Sequence, residues 1–226
     1  MFAYYAFGGS LVILVGALWE RDRYQHVVVA TMLSAFTLAL AVPMRLLFYL
    51  SPETLDVKLF QLDAVLGLNA FSSCMWFQDH FPLFTKVVLM AYFALPLMVG
   101  VAYALERNVL LPRIALLAGI LAFPFYLLIP AAGPLHLFTP EGVQNMVVEG
   151  PRNCMPSLHF SWALLTAWNV RGWKLRLVAW IFFALTAIAT IVSGEHYYVD
   201  LLAAIPFVIV VQYLSAYEFN KKIQPV

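Results

Sequence analysis

Seven stretches of this chain run long and apolar, near residues 2–19, 26–50, 83–105, 112–130, 157–170, 175–193 and 197–217. Lipid offers the backbone no hydrogen-bond partner, so runs of this length must satisfy their own N–H and C=O groups, as helices. Charged residues make up 11% of the 226 and apolar ones 63%. A soluble globular domain carries about 25% and about 45–50%, so this chain lacks the polar surface a water-facing fold needs. A formal net charge of +1 and only two cysteines exclude a nucleic-acid binder and a disulfide scaffold. The expected architecture is an all-α polytopic membrane protein, one helical bundle of about six to seven transmembrane spans over 1–226. Its core is expected over about 80–217, with extra N-terminal spans and an interfacial segment over 1–80, and no internal repeat or linker interrupts it.

Charge placement orients the bundle. The first run lacks a preceding basic region and is followed by Arg21-Asp22-Arg23, so it reads as a retained span and not a cleaved leader. With that turn in the cytoplasm, alternation puts Arg21, Arg23, Arg107, Arg113, Arg171, Lys174, Arg176, Lys221 and Lys222 inside. Only Arg45, Lys58, Lys86 and Arg152 fall on the other side, the asymmetry the positive-inside rule requires. Residues 57–78 are apolar but carry Lys58, Gln61, Asp63 and Asn69. Both a spanning and an interfacial helix fit them; the interfacial one is preferred, because spanning would move Arg21 and Arg23 outside.

In so apolar a chain the polar residues near membrane depth carry the information. They form two clusters: Glu149-Gly-Pro-Arg152-Asn-Cys-Met-Pro156-Ser157-Leu-His159, ahead of the fifth span, and Ser193-Gly-Glu195-His196-Tyr-Tyr-Val-Asp200, ahead of the seventh. The fifth and sixth spans form a hairpin turned by the basic residues at 171–176, so His159 and His196 must share one membrane face. Pro156 suits the first turn of a helix, whose free N–H groups near Ser157 make an anion site. Arg152 adds a fork of donors matched to phosphate oxygens. His196 and Asp200, four residues apart, share a helix face; the carboxylate can hold one imidazole nitrogen and leave the other as nucleophile or base. Each residue alone also has a plain structural reading, as a snorkelling histidine, a helical ion pair or a headgroup contact. Metal ligation is the other chemical reading, but only two histidines converge and no third stands close in sequence.

Pro156-Ser157-Leu158-His159 followed by small and apolar residues, and then His196-Tyr197 with Asp200, together resemble the type-2 phosphatidic acid phosphatase superfamily. The leucine of the first motif and the spacing of the second are most similar to its inositol-phosphorylceramide and sphingomyelin synthase-like branch. Ile129-Pro130-Ala-Ala-Gly133-Pro134 resembles the proline-glycine signature that closes the preceding span there. The resemblance covers about residues 120–205. It implies metal-independent phosphoryl transfer through a phosphohistidine, without a cofactor. His196 would be the nucleophile, Asp200 its orienting carboxylate, and His159 the group that protonates the leaving alcohol and then activates the acceptor. Ser157 would help hold the phosphoryl oxygens. Two positions depart from the common phosphatase pattern: residues 129–134 contain neither its lysine nor its arginine, and Thr190 stands where it has arginine. Arg152 is the expected substitute clamp, with Lys86 or Arg45 as alternatives.

Glu195, beside His196, has two readings, as a group that tunes the histidine or positions an acceptor hydroxyl and as a loop residue; the loop one is preferred, since neighbours in a helix do not share a face. His136 and Glu141 read either as lining the site entrance or as parts of a solvated loop, and the loop is preferred. Cys74 and Cys154 share the outer side, and a disulfide between them rests on that alone. The expected function is a multi-pass lipid phosphatase or phosphotransferase of a plasma or inner membrane with an extracytoplasmic site. Its substrate would be a phospholipid, sphingolipid or prenyl phosphate, and water and a lipid alcohol both remain open as acceptors. The rival is a lipid or solute carrier, or a membrane scaffold, that has kept the fold.

Overall fold

The computed structural model describes residues 46–47, 49–51, 53–138 and 152–221, with side chains as far as 215. The expected span 2–19, nearly all of 26–50, the Arg21/Arg23 turn, Arg45, Glu141 and Glu149 lie outside the described residues. Among those described, the chain is helical and contains no strand. Its helices are α1 (Asp56–Val65), α2 (Ala70–His80), α3 (Pro82–Phe93), α4 (Leu95–Glu106), α5 (Leu110–Leu128), α6 (Pro134–Leu137), α7 (Leu158–Asn169), α8 (Trp173–Val192) and α9 (Tyr198–Lys221).

Three of these are long and apolar enough to cross a membrane: α5, α8 and α9 through Ser215. The run at 83–105 folds as two helices, α3 and α4, bent by 55°, and counts as a fourth span if the pair crosses together. Pro96, in the first turn of α4, has no N–H to give and crowds the preceding turn, which breaks the run there. The run at 157–170 becomes α7, only 12 residues long. At 1.5 Å per residue it rises about 18 Å, short of the roughly 30 Å hydrocarbon core. Ser157 and Val170 flank it as its caps, so the helix fills the expected run to within one residue at each end.

Residues 57–78 form no single long helix. They divide into α1 and α2 around Gly67, whose φ of +72° is a conformation that glycine adopts without steric cost. Asn69 caps α2 by accepting from the Ser72 N–H at 2.9 Å. On α1 the burial is the reverse of a soluble helix: Asp56, Leu59 and Asp63 face inward while Val57, Leu62, Val65 and Leu66 are exposed. Lys58 and Gln61 also point outward. An element that hides carboxylates and exposes aliphatics is built for an apolar surround, with its acids committed to internal partners.

The short α7 is the centre of the bundle, with α4, α5, α8 and α9 packed around it. Leu158 and Leu165 join Ile114, Ala118, Ala122 and Tyr126 of α5 and Phe207, Val208 and Val211 of α9 in the largest core cluster. Alanines at the contacts let the backbones approach closely, the main source of helix association where lipid competes for apolar surface. At the far end of α7, the Glu106 carboxylate accepts from the N–H groups of Arg171 and Gly172 and so caps α8. Asn169 and Gln212 exchange amide hydrogen bonds there.

Candidate active site

The two sequence clusters meet at the opposite end, where α7 and α9 begin and α8 finishes. The N-termini of α7 and α9 treat their exposed N–H groups differently. On α9, the Asp63 carboxylate accepts from Tyr198 N at 3.0 Å and Val199 N at 2.9 Å, and Asp200 Oδ2 accepts from Tyr197 N at 2.7 Å. This is the reciprocal half of a capping box, reinforced by an acid from α1, and it consumes the donors of that helix start. Burial pushes the Asp63 carboxyl above its ordinary value, opposed by those two N–H groups. On α7 the cap is Ser157, whose Oγ accepts from Phe160 N at 3.4 Å. Pro156 stands one residue before the cap, after a cis Met155–Pro156 bond, and not in the first helical turn as its sequence position suggested. The positive end of the α7 dipole therefore opens on the site.

His196 lies against that opening. It is buried, and its Nδ1 is 3.0 Å from the Cys154 carbonyl oxygen and 3.5 Å from Asp200 Oδ2. Both neighbours accept only, so Nδ1 carries the proton and the carbonyl is its closer partner. Nε2 is then the lone-pair nitrogen, 3.3 Å from Ser157 Oγ, which donates to it. Ser157, His196 and Asp200 are thus brought together as expected. Asp200 differs in detail: its Oδ2 is more tightly engaged by Tyr197 N and by the Cys154 thiol, which donates at 2.7 Å, than by the imidazole.

His159 takes its place in the first turn of α7, half-buried, with its ring stacked on Tyr92 of α3 (centroids 3.8 Å apart, planes at 18°). The Tyr92 hydroxyl donates to Glu195 Oε2 at 2.8 Å. Glu195 is a loop residue, as expected, between α8 and α9; its hydrogen-bond partner comes from α3, 103 residues away. Tyr92 and the contacts of Cys154 with His196 and Asp200 are what sequence does not reveal, and nothing in sequence points to Tyr92.

Arg152 is fully buried, and its Nε donates to the Ser51 carbonyl at 3.1 Å. Burial lowers its pKa, partly offset by the Asp56 carboxylate. Asp56 is itself a fastener. It accepts from Ala132 N and Gly133 N, at 3.0 and 2.8 Å, and from the Tyr197 hydroxyl at 2.9 Å. The Ile129–Pro134 loop, which departs from the common pattern in lacking basic residues, thus spends its backbone donors on the protein's own carboxylate. Gly133, at φ +105°, allows the loop to lie directly on the Glu195 backbone, where any Cβ would collide with the Glu195 carbonyl.

Of the alternative clamps, Lys86 is exposed on α3. Thr190 is buried but returns its hydroxyl to the Ala187 carbonyl of its own helix. His136 sits half-buried on α6. The cysteines correct the disulfide expectation: both are buried and free. Cys74 donates to the Val192 carbonyl at 3.1 Å, while Cys154 is held by Asp200 on the other side of the 193–196 loop. Burial, with Asp200 second, pushes the Cys154 thiol well above its ordinary pKa.

No curated protein and no solved structure matches this chain. A family model described as the PAP2 superfamily matches residues 57–214, more than two thirds of the sequence, including His159, His196 and Asp200. By that match, over the stretch that carries both histidine motifs, the chain belongs to the PAP2 superfamily.

Proposed function

We propose that this protein is a membrane-embedded lipid phosphatase or phosphotransferase that works through a phosphohistidine on His196. Membership of the PAP2 superfamily points to phosphatase or phosphotransferase activity on lipid-type substrates. The observation that carries the finer reading is the setting of His196. A carbonyl and a carboxylate face Nδ1, and Nε2 is directed at Ser157 and the start of α7.

In the first step the Nε2 lone pair forms a bond to phosphorus while the bond from phosphorus to the lipid oxygen breaks, and protonated His159 gives its proton to that oxygen. The positive charge that His196 acquires is stabilised by Asp200 and the Cys154 carbonyl. In the second step His159, now neutral, takes a proton from water or a lipid alcohol. That oxygen bonds to phosphorus and the phosphorus–nitrogen bond breaks. The N-terminal amides of α7, with Ser157 and Arg152, would hold the phosphoryl oxygens, which retain their charge throughout. No step requires a metal.

The inositol-phosphorylceramide and sphingomyelin synthase-like branch remains the best fit for the Pro156–His159 and His196–Asp200 motifs. It favours a phospholipid, sphingolipid or prenyl phosphate, with the acyl or prenyl chains against the exposed aliphatics of the bundle. Seven spans, with α3 and α4 as one broken span, α7 as a short one and the site on the extracytoplasmic face, would satisfy the charge asymmetry of the turns.

Detergent-purified wild type and His196→Ala, assayed on radiolabelled phosphatidic acid and prenyl pyrophosphate, test the reading. Wild type should release phosphate or transfer it to added lipid alcohol, form an acid-labile phosphoenzyme, resist chelators and be blocked by vanadate. Equal background rates in the two proteins would return the chain to the carrier or scaffold reading.

A further inference from the structure

Behind the proposed nucleophile, on the side away from Ser157, three different donors converge. Cys154 Sγ, His196 Nδ1 and an Asp200 carboxylate oxygen all lie within 4.8 Å of one another and are buried. The individual separations are 3.7 Å from sulfur to nitrogen, 3.5 Å from nitrogen to Oδ2 and 2.7 Å from sulfur to Oδ2. Ligands on one tetrahedral zinc ion, bound at about 2.3 Å for sulfur and about 2.0–2.1 Å for nitrogen and oxygen, stand roughly 3.3–3.6 Å apart. Two of the three separations are close to that spacing. The third is a thiol-to-carboxylate hydrogen bond that must open by less than 1 Å.

Hydrogen bonding among these groups explains the short contact but leaves one oxygen over. Asp200 Oδ1 is fully buried and has no hydrogen-bond partner among the described residues. A buried carboxylate oxygen without a donor is costly, and a cation bound by the same carboxylate, whose Oδ2 faces the sulfur and nitrogen, would offset that cost. We propose that Cys154, His196 and Asp200 form a regulatory site for a borderline-soft divalent cation of the zinc class, and that its occupancy switches the nucleophile off.

The chemistry balances. A zinc ion entering the site displaces one proton, from the Cys154 thiol, which leaves to solvent; the site, at −1 with the carboxylate alone, becomes neutral. The imidazole stays neutral by moving its proton from Nδ1, now a ligand, to Nε2. An Nε2 that carries a proton has no lone pair to present to phosphorus, so metal and phosphoryl group exclude one another on the two sides of a single ring. A sulfur, nitrogen and oxygen donor set disfavours magnesium and calcium, which take oxygen alone. The proposed site shares His196 and Asp200 with the catalytic reading and lies on the Nδ1 side of the ring, opposite the nitrogen that would attack phosphorus. Its inhibitory consequence rests on the phosphohistidine reading, whereas binding itself does not.

Cobalt(II) is the probe for binding. Added to the detergent-purified full chain, it should give a thiolate-to-metal charge-transfer band that zinc abolishes. Cys74→Ala should keep the band, and both Cys154→Ala and Cys154→Ser should lose it. Absence of the band in a folded wild type overturns the proposal, as does its persistence in both Cys154 variants. In the phosphatase assay zinc should inhibit wild type reversibly, with chelator restoring the rate. Each Cys154 variant, compared with its own zinc-free rate, should need at least about tenfold more zinc. Equal zinc sensitivity in wild type and both variants overturns the switch. A band without phosphatase activity in any protein would establish the cation site and refute the catalytic reading instead.

Discussion

Tyr92 makes two separable contacts with the site, and substituting it tests whether His159 depends on them. Its ring lies 3.8 Å from the His159 ring, and its hydroxyl, buried with the rest of the side chain, donates to Glu195 at 2.8 Å. A hydrogen bond to a charged group contributes about 1.5–3 kcal/mol. Glu195 is half-buried, so water replaces part of the lost bond and Tyr92→Phe should cost about 1.5 kcal/mol. It keeps the stack, so the His159 ring stays in place and kcat should fall by less than about tenfold. Tyr92→Leu also removes an aromatic pair of about 0.5–1.5 kcal/mol and leaves the imidazole without its flat support. The total cost should be about 3 kcal/mol. A misplacement of His159 by about 1 Å is enough for a rate loss of about 100-fold, which should appear in kcat with KM little changed. Thermal unfolding in detergent and phosphate release from a short-chain phosphatidic acid read the two effects separately. Wild-type kcat in Tyr92→Leu, or equal damage in both variants, would refute the idea that the stack positions His159.

Two glycines with left-handed backbone provide an internally controlled pair. Gly67→Ala meets open space and should lose only the conformational term, about 1–2 kcal/mol, with activity unchanged. Gly133→Ala carries a larger one, since φ 105° with ψ 161° is a region essentially restricted to glycine, and it also drives a methyl into the Glu195 carbonyl. It should displace His196 and lower activity at least about tenfold, and matching activities in the two variants would show that this loop does not position the histidine. The protein should also lose stability in alkali. The unfolded Cys154 thiol ionises near its ordinary 9.0, while the folded one stays protonated well above that, so its contribution is complete below pH 9 and declines as pH rises beyond it. Urea midpoints measured from pH 7 to 10 should fall less steeply in Cys154→Ser; identical slopes would mean that the thiol titrates equally in both states.

Residues 157–170 show where pattern reading succeeds and where it stops. The apolar run correctly implied a helix, because a segment in an apolar surround has few other ways to satisfy its backbone. It gave the bounds to within one residue but not the central place of α7 among α4, α5, α8 and α9, nor the hold of the Tyr126 hydroxyl on the Pro156 carbonyl ahead of it. The polar residues of 57–78 looked like an obstacle to membrane burial. Of these, Asp63 turns inward to hold the start of α9 and Asn69 caps α2, while Lys58 and Gln61 point outward, and no local rule predicts a cap supplied from 135 residues away.

Sequence by itself determined the all-helical, membrane-adapted character of the chain and the four-residue spacing of His196 and Asp200, and its two histidine motifs carried the resemblance to the superfamily. Composition and spacing are local properties. Tertiary structure decided which groups complete the site. Tyr92 beneath His159, Glu195 behind Tyr92, the Cys154 carbonyl on Nδ1 and its thiol on Asp200 all join segments distant in the chain. Such contacts depend on how α3, α7 and α9 approach one another. In a low-dielectric bundle each buried polar group must find a partner wherever packing brings one, and sequence spacing does not record that choice.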